Sequence, residues 1–132
     1  MKGKDVLLAV LIALPVMCFA AADGSWLKKV PTADRGRMNP YAGKTDAVAA
    51  GANLFSENCA KCHGENAEGK GKRPPLKSDR IKNATDGELA WLLKNGNSFK
   101  GMPIWGGLPE QARWQIIAYI RSLNAPATAE QP

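Results

Sequence analysis

Three stretches of this chain repeat apolar residues at the spacing of a helix turn. In Asp46 to Asn58, "DAVAAGANLFSEN", Val48, Leu54 and Phe55 fall near helical spacing, and Gly51 lies one turn before Phe55. Thr45 or Asp46 suits the start as a cap. In Thr85 to Gly96, "TDGELAWLLKNG", Leu89, Leu92 and Leu93 form an apolar face with Trp91 on its flank. Thr85 and Glu88 stand at capping-box spacing, and Gly96 follows the last turn, where a left-handed residue stops a helix. In Pro109 to Leu123, "PEQARWQIIAYIRSL", Pro109 suits the first turn, Glu110 the positive helix end, and Ile116, Ile117, Tyr119 and Ile120 give a broad apolar face. Residues 64–84, "GENAEGKGKRPPLKSDRIKNA", are rich in glycine and proline and predict loop. No stretch reads as a strand, and no internal repeat is present. The pattern predicts an all-α fold of three main helices, with loops long for so small a domain.

The start of the chain follows another pattern. Lys2 and Lys4 precede Val6 to Ala22, an uncharged run ending in Ala20, Ala21 and Ala22. A basic start, a short apolar run and small residues predict a secretory signal peptide over residues 1–22, cleaved after Ala22. A membrane anchor is the rival reading, but a run of about 17 residues is at the lower edge of a span, and Pro15 interrupts it. Lipoprotein processing at Cys18 is a weaker rival, since Met17 stands where a small residue is wanted.

The 132 residues suit one domain. The reading divides them into the leader at 1–22, an N-terminal arm at 23–44, a helical domain at 45–124 and a disordered tail at 125–132. Loss of Lys2, Lys4 and Asp5 with the leader would take 18 basic and 12 acidic residues to 16 and 11, a net charge of +5. That balance favours acidic partners and membrane surfaces. The basic residues are scattered and no nucleic-acid module is legible, so nucleic acid is not an expected partner.

The distinctive chemistry is concentrated in "CAKCH", which holds Cys59, Cys62 and His63, the chain's one histidine and both cysteines outside the leader. A zinc site wants four ligands, and this set lacks the fourth. A dithiol-exchange motif opens a helix after a strand, and here a helical pattern precedes it. Covalent haem attachment uses every atom: two thiols at this spacing add to the two vinyl groups of one porphyrin, and the adjacent His63 supplies an axial nitrogen. The opposite axial position then falls to methionine. Met38 lies in the Pro- and Gly-rich arm, whereas Met102 lies in "FKGMPIWGG" between two helical segments, far downstream of His63. Gly101 lets backbone approach the iron, and Pro103 stiffens the loop behind the sulfur. Met102 is the expected ligand. Its thioether favours ferrous iron and raises the reduction potential, and a six-coordinate iron suits electron transfer rather than catalysis. A porphyrin also explains the long loops, which gain a large apolar face to pack on.

With these residues in place, Asp46 to Leu123 resembles a class I cytochrome c of bacterial type. The family pairs an N-terminal helix bearing glycine and an aromatic, matched by Gly51 and Phe55, with a C-terminal helix bearing an aliphatic and an aromatic, matched by Ile116 and Tyr119. The resemblance implies close crossing of the two backbones at Gly51. It implies that Pro74 in "RPPL" offers its carbonyl to the second nitrogen of His63, with Pro75 as the neighbouring candidate. It further implies that Leu76 and Trp105 contact the haem, Trp105 near its edge or a propionate. The fold implied is the class I cytochrome c fold, long loops and three helices around one covalently attached haem c.

The arm lies outside the family pattern, and Trp26, Arg35, Arg37 and Tyr41 stand out in it. It reads either as a wrap over the haem domain or as a docking segment. The functional expectation is a periplasmic one-electron carrier and not an enzyme, linking a respiratory donor complex or dehydrogenase to a terminal oxidase or reductase. Its partners would be redox proteins docking transiently at the haem edge through acidic surfaces, guided by Lys61, Lys70, Lys72 and Lys100. Membrane association would come only through redox complexes or an uncleaved leader. The alternatives are a haem module or subunit of a larger oxidoreductase, and a haem sensor or enzyme with a labile methionine ligand.

Overall fold

A computed structural model of the chain describes residues 24–126. The expected leader and most of the expected tail lie outside the described residues. Among the described residues six α-helices follow in chain order: α1 (Thr32–Arg35), α2 (Thr45–Asn58), α3 (Ala60–His63), α4 (Asp79–Asn83), α5 (Asp86–Asn95) and α6 (Glu110–Asn124). Short 3-10 turns span Ser25–Lys29 and Ser98–Lys100. Among the described residues there is no sheet, only isolated bridges pairing Lys70 with Arg73 and Asn97 with Met102. The three long helices sit where the apolar periodicity puts them.

The crossing of α2 and α6 organises the core. Gly51 faces the α6 backbone so closely that a Cβ there would lie 2.0 Å from the Gln115 carbonyl oxygen and 2.9 Å from Tyr119 Cβ. Only a residue without a side chain lets the helices meet at this depth. One turn on, the Phe55 and Tyr119 rings pack with centroids 5.3 Å apart, a tilted aromatic pair. Phe55, Ile116 and Ile117 are the largest fully buried side chains, each worth about 2 kcal/mol in apolar burial.

Helix α5 carries the predicted capping box: Thr85 Oγ accepts from the Glu88 N–H, and the Glu88 carboxylate accepts from the Thr85 N–H. Leu89 and Leu93 enter the core, with Trp91 and Leu92 packed against it. Helix α4 is a departure from the expected loop. Ser78 caps it, Asp79 occupies its positive end, and Ile81 is buried. A five-residue helix with one buried apolar side chain carries no periodicity to detect. Arg121 of α6 ties it down, donating Nε to Asp86 Oδ1 at 2.7 Å and Nη1 to the Ile81 carbonyl at 2.7 Å, while Nη2 donates to the Ala84 carbonyl.

The arm wraps the end of α5 and the side of α6. Trp26 and Val30 are buried in the core cluster. Arg35 pairs with Glu88 at 2.6 Å and also donates to the Val30 and Leu27 carbonyls. Thr85 Oγ1 returns a bond to the Arg35 carbonyl. Gly87 has no room for a side chain, because a Cβ there would sit 1.9 Å from the Asp34 carbonyl oxygen. Buried Asn39 donates to the Trp114 carbonyl at 2.9 Å, and Arg37 lies over the Trp114 ring at 5.1 Å and pairs with Glu110.

Candidate haem site

The pentapeptide continues the helical path of α2. Cys59 N–H donates to the Phe55 carbonyl at 2.8 Å, and the Cys62 and His63 N–H groups both donate to the Cys59 carbonyl, at 3.1 and 2.9 Å. One helical turn therefore carries both thiols and the imidazole. Cys59 is buried, while Cys62 and His63 are half-buried. Both cysteines are free thiols.

His63 Nδ1 lies 2.9 Å from the Pro74 carbonyl oxygen. A carbonyl only accepts, so Nδ1 carries the proton and Nε2 keeps its lone pair for a metal. The loop that returns Pro74 to His63 is built on positive φ: Gly64 at 88°, Gly69 at 85° and, exceptionally, Ala67 at 58°. Ala67 is fully buried, and its carbonyl accepts from the Leu76 N–H at 2.9 Å. The Gly69 N–H donates to the His63 carbonyl at 2.6 Å. This lacing brings Pro74, and not Pro75, to the ring.

The Met102 loop is fixed from α5. Gly96 has φ 67° but ψ −172°, so it is extended with a positive φ open to glycine, not the left-handed helical residue its position predicts. A Cβ on it would lie 2.6 Å from the Pro103 carbonyl oxygen, so the loop folds back over it. Asn97 and Met102 exchange both backbone hydrogen bonds at 3.0 Å around the Ser98–Lys100 turn, and the Trp105 N–H donates to the Leu93 carbonyl at 2.9 Å. Gly101 has φ 78° and ψ 16°, the left-handed turn that closes this ring.

Met102, Leu76 and Trp105 are partly buried against the core cluster that contains Cys59. Met38 is 87% exposed on the arm, far less enclosed than Met102. A groove of about 360 Å³ beside Met38, lined by Arg37, Tyr41, Glu110 and Trp114, contains none of the expected site residues. Lys61, Lys70, Lys72 and Lys100 are all exposed. Sequence reasoning missed two supports of the site. One is the double bond between Asn97 and Met102, which uses backbone alone. The other is Arg73, whose Nη1 donates to the Gly101 carbonyl at 2.8 Å and so joins the loop of Pro74 to the loop of Met102. Nothing local in "KRPP" marks that reach.

These residues fit a covalently held haem better than the other chemistries of the motif. Among the described residues no group of three or more His, Cys, Asp or Glu is arranged to hold a metal ion. Iron brought in by a porphyrin needs from the protein only axial ligands. Burial first, and the Cys62 thiol second, push the Cys59 thiol up to about 11. Dithiol exchange depends on a lowered thiol pKa. A neutral thioether, by contrast, sits in this buried position without ionising.

The family described as cytochrome c oxidase, cbb3-type, subunit III, matches residues 46–120. Cytochrome c-554(547) of Halothiobacillus neapolitanus is 38% identical over 88 residues, covering 58% of this chain and 97% of that protein. The cbb3-type cytochrome c oxidase subunit FixP of Bradyrhizobium sp. (strain ORS 278) is 35% identical over 81 residues, 58% of this chain but 28% of that subunit. Among solved structures, cytochrome cL of Methylophaga aminisulfidivorans superposes with a TM-score of 0.57 at 32% identity, covering 64% of this chain and 58% of that one. The chain thus spans nearly all of the first of these relatives and less than two thirds of the other two.

Proposed function

The chain belongs to the class I cytochrome c family, with a domain of the cbb3 oxidase subunit III type, and on that premise we propose that it is an exported one-electron carrier holding a single haem c. In this reading Cys59 and Cys62 would form the two thioethers, and His63 Nε2 and the Met102 sulfur would ligate the iron. The bound haem supplies reversible one-electron exchange between ferric and ferrous iron.

The residues of the chain set the conditions for that exchange. The Pro74 carbonyl holds the His63 ring in one tautomer and orientation and increases its basicity as a ligand. Met102, held by Asn97 on both sides of its peptide, presents a thioether that favours the reduced state. Leu76 and Trp105 would shield the group from water. With His63 and Met102 both on the iron, no position would be left for a substrate. The observation that carries the reading is the helical turn with two free cysteines and a histidine whose Nδ1 is already engaged.

Export to the periplasm is supported by the leader pattern at residues 1–22. Among the described residues no helix is long and apolar enough to cross a membrane. Exposed lysines 61, 70, 72 and 100 favour transient docking to acidic redox partners, drawn from donor complexes or dehydrogenases on one side and terminal oxidases or reductases on the other. The near-complete span of cytochrome c-554(547) supports a free carrier. The match to part of FixP supports a second reading, a haem module of a larger oxidoreductase.

The test is spectroscopic. Protein exported from a host that matures c-type cytochromes should give a pyridine haemochrome with two thioethers and the mass of one haem. Its ferric form should show the weak near-infrared band of sulfur ligation, and its ferrous form should not bind carbon monoxide promptly. Prompt carbon monoxide binding would favour a sensor or enzyme. A partner retained through high salt would favour the module.

A further inference from the structure

The loop that supports His63 through Pro74 and the loop that carries Met102 are joined by a side chain outside the proposed ligand set. Arg73 has its backbone fixed on the His63 side. Its N–H donates to the Lys70 carbonyl at 2.8 Å, its carbonyl accepts from Lys70, and it is bonded directly to Pro74, whose carbonyl engages His63. The side chain crosses to the other loop and donates Nη1 to the Gly101 carbonyl at 2.8 Å. The fit is close: a Cβ on Gly101 would lie 2.8 Å from that nitrogen. Gly101 therefore serves two needs, the left-handed turn before Met102 and the space for a guanidinium.

We propose that Arg73 is a positioning residue, a clasp that holds the Met102 loop closed against the His63 side and so limits how often the Met102 sulfur leaves the iron. The inference rests on the His63/Met102 ligation proposed above. In this reading sulfur release would swing residues 97–102 outward as one unit. The Asn97–Met102 bonds travel with that segment, since both partners belong to it. The Arg73–Gly101 bond does not, because its donor is anchored on the opposite loop. Arg73 is half-buried and the bond is reached by solvent, so its contribution is that of one charge-assisted hydrogen bond at a surface.

The experiment follows imidazole binding to the ferric holoprotein, whose limiting rate at high imidazole reports sulfur release. Arg73→Met keeps the stem and removes the donor, and it should raise that rate about fivefold. Arg73→Lys keeps a donor and should recover at least half of the effect. Lys82→Ala, which removes an exposed cation elsewhere, should leave the rate within about 1.5-fold of the parent. In Arg73→Met the near-infrared sulfur band should melt at lower temperature while the helix signal melts where it did before. A parent-like rate in Arg73→Met, or loss of band and helix signal together, would overturn the clasp alone. Absence of the band from the unsubstituted protein would overturn the ligation itself, and the clasp with it.

Discussion

The Nδ1 proton of His63 is committed to Pro74, and the Cys59 sulfur is buried where ionisation is disfavoured. Each atom is thereby left with one role, a free Nε2 lone pair and a neutral sulfur. Replacing Cys59 by serine should leave at most one thioether, read as a one-thioether pyridine haemochrome; full covalent incorporation in that variant would contradict the attachment proposed here. Met102→Ala should lower the reduction potential by on the order of 100 mV, since axial ligands govern potentials over several hundred. It should also admit carbon monoxide to the ferrous protein. An unchanged potential in a redox titration would place the ligand elsewhere. At this scale the His63–Pro74 contact was legible through the resemblance, once a single histidine and two cysteines stood in five positions. The conformation of Gly96 was not legible, since its ψ is set by Pro103 folding over it from seven residues away.

Among the elements, the α2–α6 crossing invites the sharpest test. Alanine at position 51 would gain about 1 kcal/mol in helix propensity. Its Cβ would meet the Gln115 carbonyl, which belongs to a helix backbone and has little freedom to yield. Overpacking of this kind costs up to about 3 kcal/mol, so Gly51→Ala should destabilise by about 2 kcal/mol net. A thermal midpoint lowered by on the order of 10 °C would show it, and an unchanged midpoint would mean that the helices do not cross so closely. The three long helices were readable because each repeats apolar residues over several turns, and Thr85 with Glu88 announced a start. Helix α4 and the docking of the arm were not. They depend on Arg121 reaching three carbonyls' worth of chain ends, on Gly87 making room for Asp34, and on Asn39 meeting the Trp114 carbonyl. Such partners are 37 to 75 residues apart and leave no local signature.

For the molecule as a whole, charge is the organising quantity. The full chain carries a formal +6, and its acidic side chains are partly engaged in holding the fold. The Glu110 carboxyl is held below its ordinary value of 4.5, chiefly by the hydrogen bond from Arg37 and then by that cation's charge. Glu68 is lowered by its own N–H and that of Asn66. A carboxyl whose folded value is depressed stabilises the protein above its unfolded value and ceases to do so as pH falls through the folded one. Stability should therefore be flat from neutrality down to about pH 4.5 with respect to these groups and decline below it. Arg37→Gln should make the decline shallower in thermal midpoints measured between pH 6 and 3. An identical pH profile would show that the pair does not link the arm to α6 in solution. Both carboxyls are exposed, so the difference between the two profiles is expected to be small.

The burial of Cys59 also imposes an order on biogenesis. Cys59 follows the last residue of α2 and is only 9% exposed, so an attaching enzyme reaches its sulfur poorly once the chain has closed. In the proposed attachment the prosthetic group would be joined while this segment is still open, and closure afterwards would seal the joint. Assembly would then run in one direction, with chemistry first and architecture second.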